Sequence, residues 1–388
     1  MTPKERVIAA LQFREPDRIP WGEHSIDYNV YEMVLGRKSL VHAKVNERIA
    51  YWEGRRDEVV SHYKRDILDL AEALEFDLVM APMVPAKGYH PAPLEKIDGK
   101  NYRDAEGRLY TISSATGDLM ANPINTAAIK KHIDMEEIQE LIDRALIQPE
   151  PEFDPESSHY EVICHLVKKI GKTHFLISPV NGLDWPRFGE SEEESWINLV
   201  LYPEICAKIA EYQMIHTFRS LKNIKKLGLD GILSVGDLGN TTNLFANPDL
   251  YREIIYPWQV KLYHEAHRLG LYVLRHCCGH VWPIIEELAD TNDAYEGIQA
   301  RAGMDIRLLK DRVGDRLCLW GGILHEHIHA GTPEEIREDA RYAFLHAAKG
   351  GGYIMGSSHS LAVGAKYENI MAMKEMRDMQ GSYSIKHL

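Results

Sequence analysis

Short apolar segments alternate with longer amphipathic segments along most of the chain. Apolar runs typical of buried strands follow one another as FDLVMAPMV, HFLISPV, DGILSVGD, LGLYVL, AYEGIQ, RLCLWGGI and GGGYIMGSS. With a short buried segment near residue 20, they place strands near positions 20, 77, 175, 230, 271, 294, 317 and 352. Segments with helical periodicity separate nearly all of them. Eight β/α units in one chain predict a (β/α)8 TIM barrel in the α/β class, with a doubly wound sheet and a second domain as the alternative.

Two additions to the barrel are expected. Thr2 and Pro3 carry N-cap and first-turn signals, and an apolar stripe follows, so residues 1–18 predict an N-terminal helix. Residues 87–114 alternate apolar and polar positions around a glycine-containing turn, which predicts a β-hairpin insertion. We therefore predict one barrel domain over residues 1–388, with an N-terminal helical extension and this insertion.

Polar residues follow most of the predicted strands. Because the active site of such a barrel lies at the carboxyl ends of its strands, these residues are the candidates for chemistry. They are Glu23, His24, Asn181, Asp237, His276, Cys278, Gln299, His325 and the stretch Ser357 to His359.

The stretch RHCCGH offers four potential metal ligands within five residues at the end of an apolar strand. Side chains alternate across a strand, so His276 and Cys278 project to one face and Cys277 to the other. Imidazole and thiolate together are ligands that zinc prefers. His276 and Cys278 are therefore predicted to form half of a zinc site.

The chain is acidic, with 45 basic and 58 acidic residues and a formal net charge of −13. This charge argues against sequence-independent binding to nucleic acid or to an anionic membrane. No apolar run approaches the roughly 20 residues that span a bilayer, and the N-terminus lacks a leader pattern, so we expect a cytoplasmic protein. Five cysteines, two of them adjacent, indicate reduced thiols rather than disulfides.

Several motifs in a fixed order together resemble the uroporphyrinogen decarboxylase superfamily over nearly the whole chain. They are Asp17-Arg18-Ile19-Pro20, Asp230-Gly231, Gly236-Asp237-Leu238-Gly239, Asn247-Pro248, Tyr251-Arg252-Glu253, His276-Cys277-Cys278-Gly279, Ala302-Gly303-Met304-Asp305, Gly314-Asp315-Arg316, Gly321-Gly322, Gly331-Thr332-Pro333-Glu334-Glu335 and Gly351-Gly352-Tyr353. The resemblance implies the (β/α)8 barrel. It leaves two reaction classes, decarboxylases and cobamide-dependent methyltransferases.

The stretch after the first strand favours the methyltransferase branch. The decarboxylases carry an arginine-rich segment there, whereas this chain has Trp21-Gly22-Glu23-His24-Ser25-Ile26-Asp27-Tyr28 and no arginine before Arg37. The methyltransferases bind zinc through His-x-Cys, which His276 and Cys278 match. Their further thiolate near the last strand has no cysteine counterpart in this chain.

The resemblance therefore leaves the rest of the zinc shell open. Cys318 and His359 are the candidate third ligands, and a carboxylate from Asp237 or Glu23 could complete the shell. The family has an acidic residue at the position of Asp237, which makes Asp237 a candidate catalytic carboxylate. Glu23, at the end of the first predicted strand, is the other candidate.

The combined prediction is a zinc-dependent methyltransferase of the O-demethylase type, acting on a small methylated substrate. It would move methyl from a methoxylated aromatic to the Co(I) corrinoid of a partner protein, since the chain lacks the corrinoid-binding Asp-x-His-x-x-Gly motif. Trp185, Asn181, His24 and Tyr28 are the candidate substrate contacts. The alternatives are methyl transfer from a methylcobamide to a thiol or tetrahydrofolate, and cofactor-free decarboxylation. A homodimer is compatible with the sequence.

Overall fold

The computed structural model describes residues 1–121, 133–149, 152–189 and 191–382. Its strands, in chain order, are β1 (Leu78–Met80), β2 (Glu95–Lys96), β3 (Asn101–Arg103), β4 (Leu109–Ile112), β5 (Leu119–Ala121), β6 (Phe175–Asn181), β7 (Gly231–Val235), β8 (Tyr272–His276), β9 (Ala294–Glu296), β10 (Cys318–Ile323) and β11 (Tyr353–Ser357). Seven of them form a parallel sheet in the order β1-β6-β7-β8-β9-β10-β11. Neighbours in this sheet follow one another along the chain, which is the topology of a barrel.

A short segment at residues 21–22 closes the ring. Trp21 forms a parallel bridge with Met355 of β11, and Gly22 forms one with Leu78 of β1. A Cβ atom on Gly22 would lie 2.7 Å from the Cβ of Leu78, so glycine is required for this close approach. The predicted first strand is thus present as a two-residue bridge, and the predicted TIM-barrel class is confirmed.

Helices cover the outside of the barrel. In chain order they are α1 (Pro3–Leu11), α2 (Tyr28–Leu35), α3 (Val45–Trp52), α4 (Arg56–Leu74), α5 (Met135–Ile147), α6 (Glu161–Ile170), α7 (Glu192–Leu201), α8 (Pro203–Lys226), α9 (Pro248–Leu250), α10 (Tyr256–Arg268), α11 (Ile285–Thr291), α12 (Ile306–Val313), α13 (His325–Ala330), α14 (Pro333–Ala343) and α15 (Tyr367–Gln380). The chain between α9 and α10 continues through a π turn. Within the described ranges no helix is long and apolar enough to cross a membrane.

The N-terminal helix covers one end of the barrel. Thr2 and Glu5 form the predicted capping box, and Pro3 occupies the first turn. Val7 and Leu11 of α1 pack with interior residues of the barrel strands, including Leu78, Phe175, Leu274, Cys318 and Trp320. This packed cluster fills the barrel near the amino ends of the strands, so the open end lies at their carboxyl ends.

The predicted hairpin insertion is larger in the structure. The turn around Gly107 joins β3 to β4 as expected, but β2 and β5 add an edge on each side, which gives a four-stranded antiparallel sheet. The prediction ended at residue 114 because the strand β5 is only three residues long and carries little alternation. Tyr102 and Leu119 of this sheet pack against Val45 of α3.

Candidate active site

Three potential metal ligands meet at the carboxyl end of the barrel. His276 ends β8, Cys278 follows it, and His359 lies two residues beyond β11. One ligand atom from each lies within 4.8 Å of the others. His276 Nε2 and Cys278 Sγ are 3.4 Å apart. Tetrahedral zinc with usual bond lengths would separate such a nitrogen and sulfur by about 3.6 Å, so this donor set fits zinc.

Glu296 is the residue that orients this group. Its carboxylate, 1% exposed, accepts a hydrogen bond from Nδ1 of His276, and its second oxygen lies 3.2 Å from Nδ1 of His24. Burial opposes ionisation, but the adjacent His24 and His276 lower the pKa of Glu296 to about 2. The carboxylate therefore holds His276 in the tautomer that leaves Nε2 free for a metal, the usual arrangement around metal-bound histidines.

Glu296 is not among the site residues predicted from the sequence. The available signal was a carboxylate inside the otherwise apolar run AYEGIQ, at the carboxyl end of a barrel strand. A buried glutamate in such a strand requires a cationic or hydrogen-bonding partner. The partners come from His24 and His276, which are distant in sequence, so only the barrel brings the three together.

His359 completes the donor set in a neutral form. Its Nδ1 forms a hydrogen bond of 2.8 Å with the hydroxyl of Ser360, which leaves Nε2 available. Its ring centroid lies 5.6 Å from those of His24 and His276. Burial, followed by the charges of these two histidines, lowers the pKa of His359 to about 4. Neutral imidazole is the form that binds metals.

Cys278 and Asp237 are linked through the backbone. The Cys278 N–H donates a 2.9 Å hydrogen bond to the Asp237 carboxylate, which is 3.9 Å from Nε2 of His276. Burial, with the negative charges of Asp237 and Glu296, raises the pKa of the Cys278 thiol well above its usual range. The thiol is therefore protonated without a metal, and metal binding must release its proton. The Asp237 side chain, 52% exposed, lies at the open rim of the site.

A second carboxyl group, that of Glu23, is also buried and precedes His24 in the chain. It accepts hydrogen bonds from Nε1 of Trp21 at 2.9 Å and from the backbone N–H and hydroxyl of Ser357. Burial dominates over these bonds and raises the pKa of Glu23 to about 7. Glu23 is therefore a carboxyl group that can hold a proton near neutral pH, as a general acid requires.

An apolar cavity of about 230 Å³, which we call the inner chamber, lies beside Glu23 and His24. Glu23 and His24 form one part of its wall, and aliphatic residues of β1, β7 and α4 form much of the rest. Its aromatic side chains are Tyr31, Tyr63 and Phe76. Within the described part of the chain, neither arginine nor lysine lines it. A dry cavity of about 150 Å³ holds benzene, so this one can hold a single ring with small substituents.

Of the four predicted substrate contacts, the structure places only His24 at the inner chamber. Trp185 is 3% exposed and donates its indole N–H to the Leu238 carbonyl at 3.0 Å, so it stabilises the packing of two loops. The Asn181 side chain accepts from Leu183 N–H at the end of β6. Tyr28 begins α2, and it is Tyr31, one helical turn later, that reaches the chamber.

Cys318 does not belong to the metal group. It is fully buried at the first position of β10 and packs in the interior cluster with Leu274 and Val7. Cys318 pairs in register with Ala294 of β9, and Ala294 pairs with Leu274 of β8. Leu274 lies two residues before His276. Cys318 therefore lies below the site, and the prediction that it supplies a third thiolate is wrong. Of the two candidates, the structure brings only His359 to His276 and Cys278.

Comparison with known proteins agrees with this architecture. The sequence model of the uroporphyrinogen decarboxylase (URO-D) family matches residues 195–379. This match confirms the family resemblance for that part of the chain. Most of the candidate site lies within the matched residues, namely Asp237, His276, Cys278, Glu296 and His359. No curated protein matches the chain in sequence.

Solved structures show similarity in fold. A methyltransferase from Methanosarcina mazei superposes with a TM-score of 0.63 at 15% identity, covering 97% of this chain and 98% of that chain. A chitinase from Chromobacterium violaceum reaches a TM-score of 0.33 at 10% identity, covering 55% of this chain and 83% of that chain. The first similarity extends over the whole barrel, including the N-terminal part that the family model does not reach.

Proposed function

We propose that this protein is a zinc-dependent methyltransferase that takes a methyl group from a methoxylated aromatic and passes it to the Co(I) corrinoid of a partner protein. The observation that carries the proposal is the His276, Cys278 and His359 donor set, with His24 stacked on His276 and lining the apolar inner chamber. The name of the M. mazei protein, whose fold matches over nearly the whole chain, agrees with this reaction class.

The protein residues have separate roles in this reaction. His276, Cys278 and His359 would hold the zinc, Glu296 orients His276, and Asp237 holds the backbone at Cys278. Zinc held by these residues would supply Lewis-acid activation of the ether oxygen. The apolar lining of the inner chamber would hold the aromatic ring, and the ether would point toward His24.

Glu23 supplies the proton that the reaction consumes. In the proposed transfer the O–CH3 bond would break and leave its electron pair on the ether oxygen, and the methyl group would pass to the partner's corrinoid, which would supply the electron pair of Co(I) for the new bond. That oxygen then takes a proton from the Glu23 carboxyl group, whose pKa of about 7 keeps it partly protonated at neutral pH. The Trp21 N–H and the Ser357 hydroxyl stabilise the carboxylate that remains.

Metal analysis and a methyl-transfer assay test the proposal. Purified protein is expected to contain one zinc per chain, and methoxybenzenes should methylate a reduced corrinoid protein, followed by cobalt absorbance. The variant His276→Ala with Cys278→Ala should lose both properties. Zinc-free protein with full activity would contradict the proposal, as would release of carbon dioxide from an aromatic acid without methyl transfer. Methylation of a thiol or tetrahydrofolate by methylcobalamin would replace the proposed direction.

A further inference from the structure

The histidines of α13 have different partners in the structure. The helix begins with the sequence HEHIH at residues 325–329, which contains the pattern His-Glu-x-x-His. His327 Nδ1 lies 2.9 Å from the carboxylate of Asp339, so this ring already has a charged partner. His325 and His329 instead pack on each other, with ring centroids 4.0 Å apart. Because residues four apart lie on the same face of a helix, these two half-buried rings form a pair on one side of α13.

Backbone carbonyls fix the tautomer of both rings. Nδ1 of His325 donates to the Ser360 carbonyl at 3.1 Å, and Nδ1 of His329 donates to the His325 carbonyl at 2.8 Å. A carbonyl oxygen only accepts, so the proton of each neutral ring is on Nδ1 and Nε2 carries a lone pair. Histidines that bind metals usually have this arrangement, in which the other ring N–H donates to a carbonyl or a carboxylate.

The Nε2 atoms of this pair lack hydrogen-bond donors. Nε2 of His329 is buried, and no described residue forms a hydrogen bond with it. Among the described residues, the His325 ring forms its hydrogen bond through Nδ1 alone. A buried acceptor without a partner costs about 1–3 kcal/mol, so the pair is suited to a ligand that takes up lone pairs. A divalent transition-metal ion is such a ligand, since imidazole nitrogen is a preferred donor for zinc, copper and nickel.

The surroundings of the pair limit what a bound ion could do. In zinc peptidases with the His-Glu-x-x-His pattern, the glutamate acts as general base. Here the Glu326 carboxylate lies 3.0 Å from Nε of Arg301, so an ion pair occupies it. In the described part of the chain, no carboxylate or thiol makes a group of three with His325 and His329. An ion held by these two imidazoles would complete its coordination with water and bind more weakly than one held at His276.

We propose that His325 and His329 form a second metal site, for a divalent transition-metal ion such as zinc. The inference does not rest on the proposed function, because neither residue belongs to the metal group or to the inner chamber. The two sites are neighbours, since the His359 ring centroid lies 5.5 Å from that of His325 and 5.6 Å from that of His276. Cations in neighbouring sites repel each other, so zinc should fill the metal group first and the pair on α13 at a higher free concentration.

Zinc stoichiometry at controlled free zinc tests the second site. Metal-free full-length protein would be dialysed against zinc buffered at nanomolar and then at micromolar free concentration, and zinc per chain would be measured by atomic emission. The wild type is expected to bind one ion at the lower level and two at the higher. His329→Phe keeps a ring against His325 but lacks Nε2, so it should stay at one. His327→Ala, on the same helix, is the matched control and should bind two.

A variant without the first site separates the two proposals. His276→Ala with Cys278→Ala should still bind one ion at micromolar free zinc, and adding His329→Phe should abolish this binding. When Co²⁺ replaces zinc in the first of these variants, the near-ultraviolet thiolate-to-cobalt absorption should be absent, because the pair contains no cysteine. Such binding without any zinc at the metal group of the wild type would contradict the proposed function and leave the second site standing.

The comparison of wild type with His329→Phe decides the inference. Equal zinc uptake by the two proteins at the micromolar level would overturn it, since any further zinc would then be an adventitious ion only. Loss of the same ion in His327→Ala would also overturn it, because the ion would then not depend on the pair alone. Circular dichroism verifies that each variant is folded.

Discussion

Replacement of Glu296 by glutamine tests whether the buried carboxylate tunes the metal group. The side chain is 1% exposed and accepts the Nδ1 hydrogen bond of His276. Glutamine keeps the size and a carbonyl acceptor but loses the charge that stabilises His276 as a ligand. Loss of such a partner typically weakens metal binding 10- to 100-fold, about 1.4 to 2.7 kcal/mol. Because the amide can still accept the hydrogen bond, we expect a value near the lower limit.

The assay is competition for zinc with a chromophoric chelator at constant pH, on protein shown to be folded. Asp293→Asn is the matched control, because Asp293 likewise accepts from a histidine, Nε2 of His267 at 2.9 Å, outside the metal group. It should leave zinc affinity unchanged. His24→Ala should change it by less than about threefold, since His24 meets Glu296 without belonging to the His276, Cys278 and His359 set.

Two results would refute this reasoning. An unchanged zinc affinity in Glu296→Gln would mean that the carboxylate has no influence on His276 as a ligand. An equally large loss in His24→Ala and Glu296→Gln would mean that the ion binds the alternative group of His24, His276 and Glu296, whose ligand atoms also lie within 4.8 Å of one another.

Substitutions at three further residues test their individual roles. His359→Ala should weaken zinc binding on the order of a hundredfold in the same competition assay. His359→Cys supplies a thiolate ligand in place of the imidazole and should still bind zinc. Equal zinc affinity of wild type and His359→Ala would show that His359 is not a ligand. Cys318→Ser should keep one zinc per chain but lower the free energy of unfolding by roughly 1–3 kcal/mol in urea, because a hydroxyl is buried in the interior cluster; loss of zinc would contradict its placement. Methyl transfer should fall as the pH rises through about 7 and Glu23 ionises, and Glu23→Gln should be slow and lack this limb, measured as a pH-rate profile. The raised pKa also predicts that folding stability decreases between pH 4.5 and about 7, because the unfolded chain ionises first, and that Glu23→Gln removes this slope.

The fold was largely predictable because its signals are local. The capping box at Thr2 and the apolar strands separated by amphipathic helices depend on residues close in sequence, and the structure has both. His276 and Cys278 could be identified for the same reason, as they share one strand end. The extent of the insertion was underestimated because β5, which lies beyond residue 114, is only three residues long and is defined by its pairing with β4.

The aromatic contacts were harder to predict. Trp185 follows a strand in a polar loop, which suggested a substrate contact, but its indole N–H finds a backbone carbonyl and the ring is buried. Tyr31 and Tyr63 reach the inner chamber from helices whose sequences look like ordinary amphipathic surface helices. Whether an aromatic faces a core or a cavity depends on what packs opposite it, which local sequence does not contain.

The sequence by itself determined the β/α alternation, the cap of the first helix and the His-x-Cys pair, since each arises from neighbouring residues and the periodicity of the backbone. Only the tertiary structure decided which distant residues join that pair. Closure of the barrel brings three residues close to the pair. They are His24, which follows the bridge at residues 21–22, Glu296 of β9, and His359 beyond the end of β11. Closure also leaves Cys318 in the packed interior. The physical reason is that strand register and barrel closure set the height and direction of each side chain, and both depend on contacts between segments far apart in the chain.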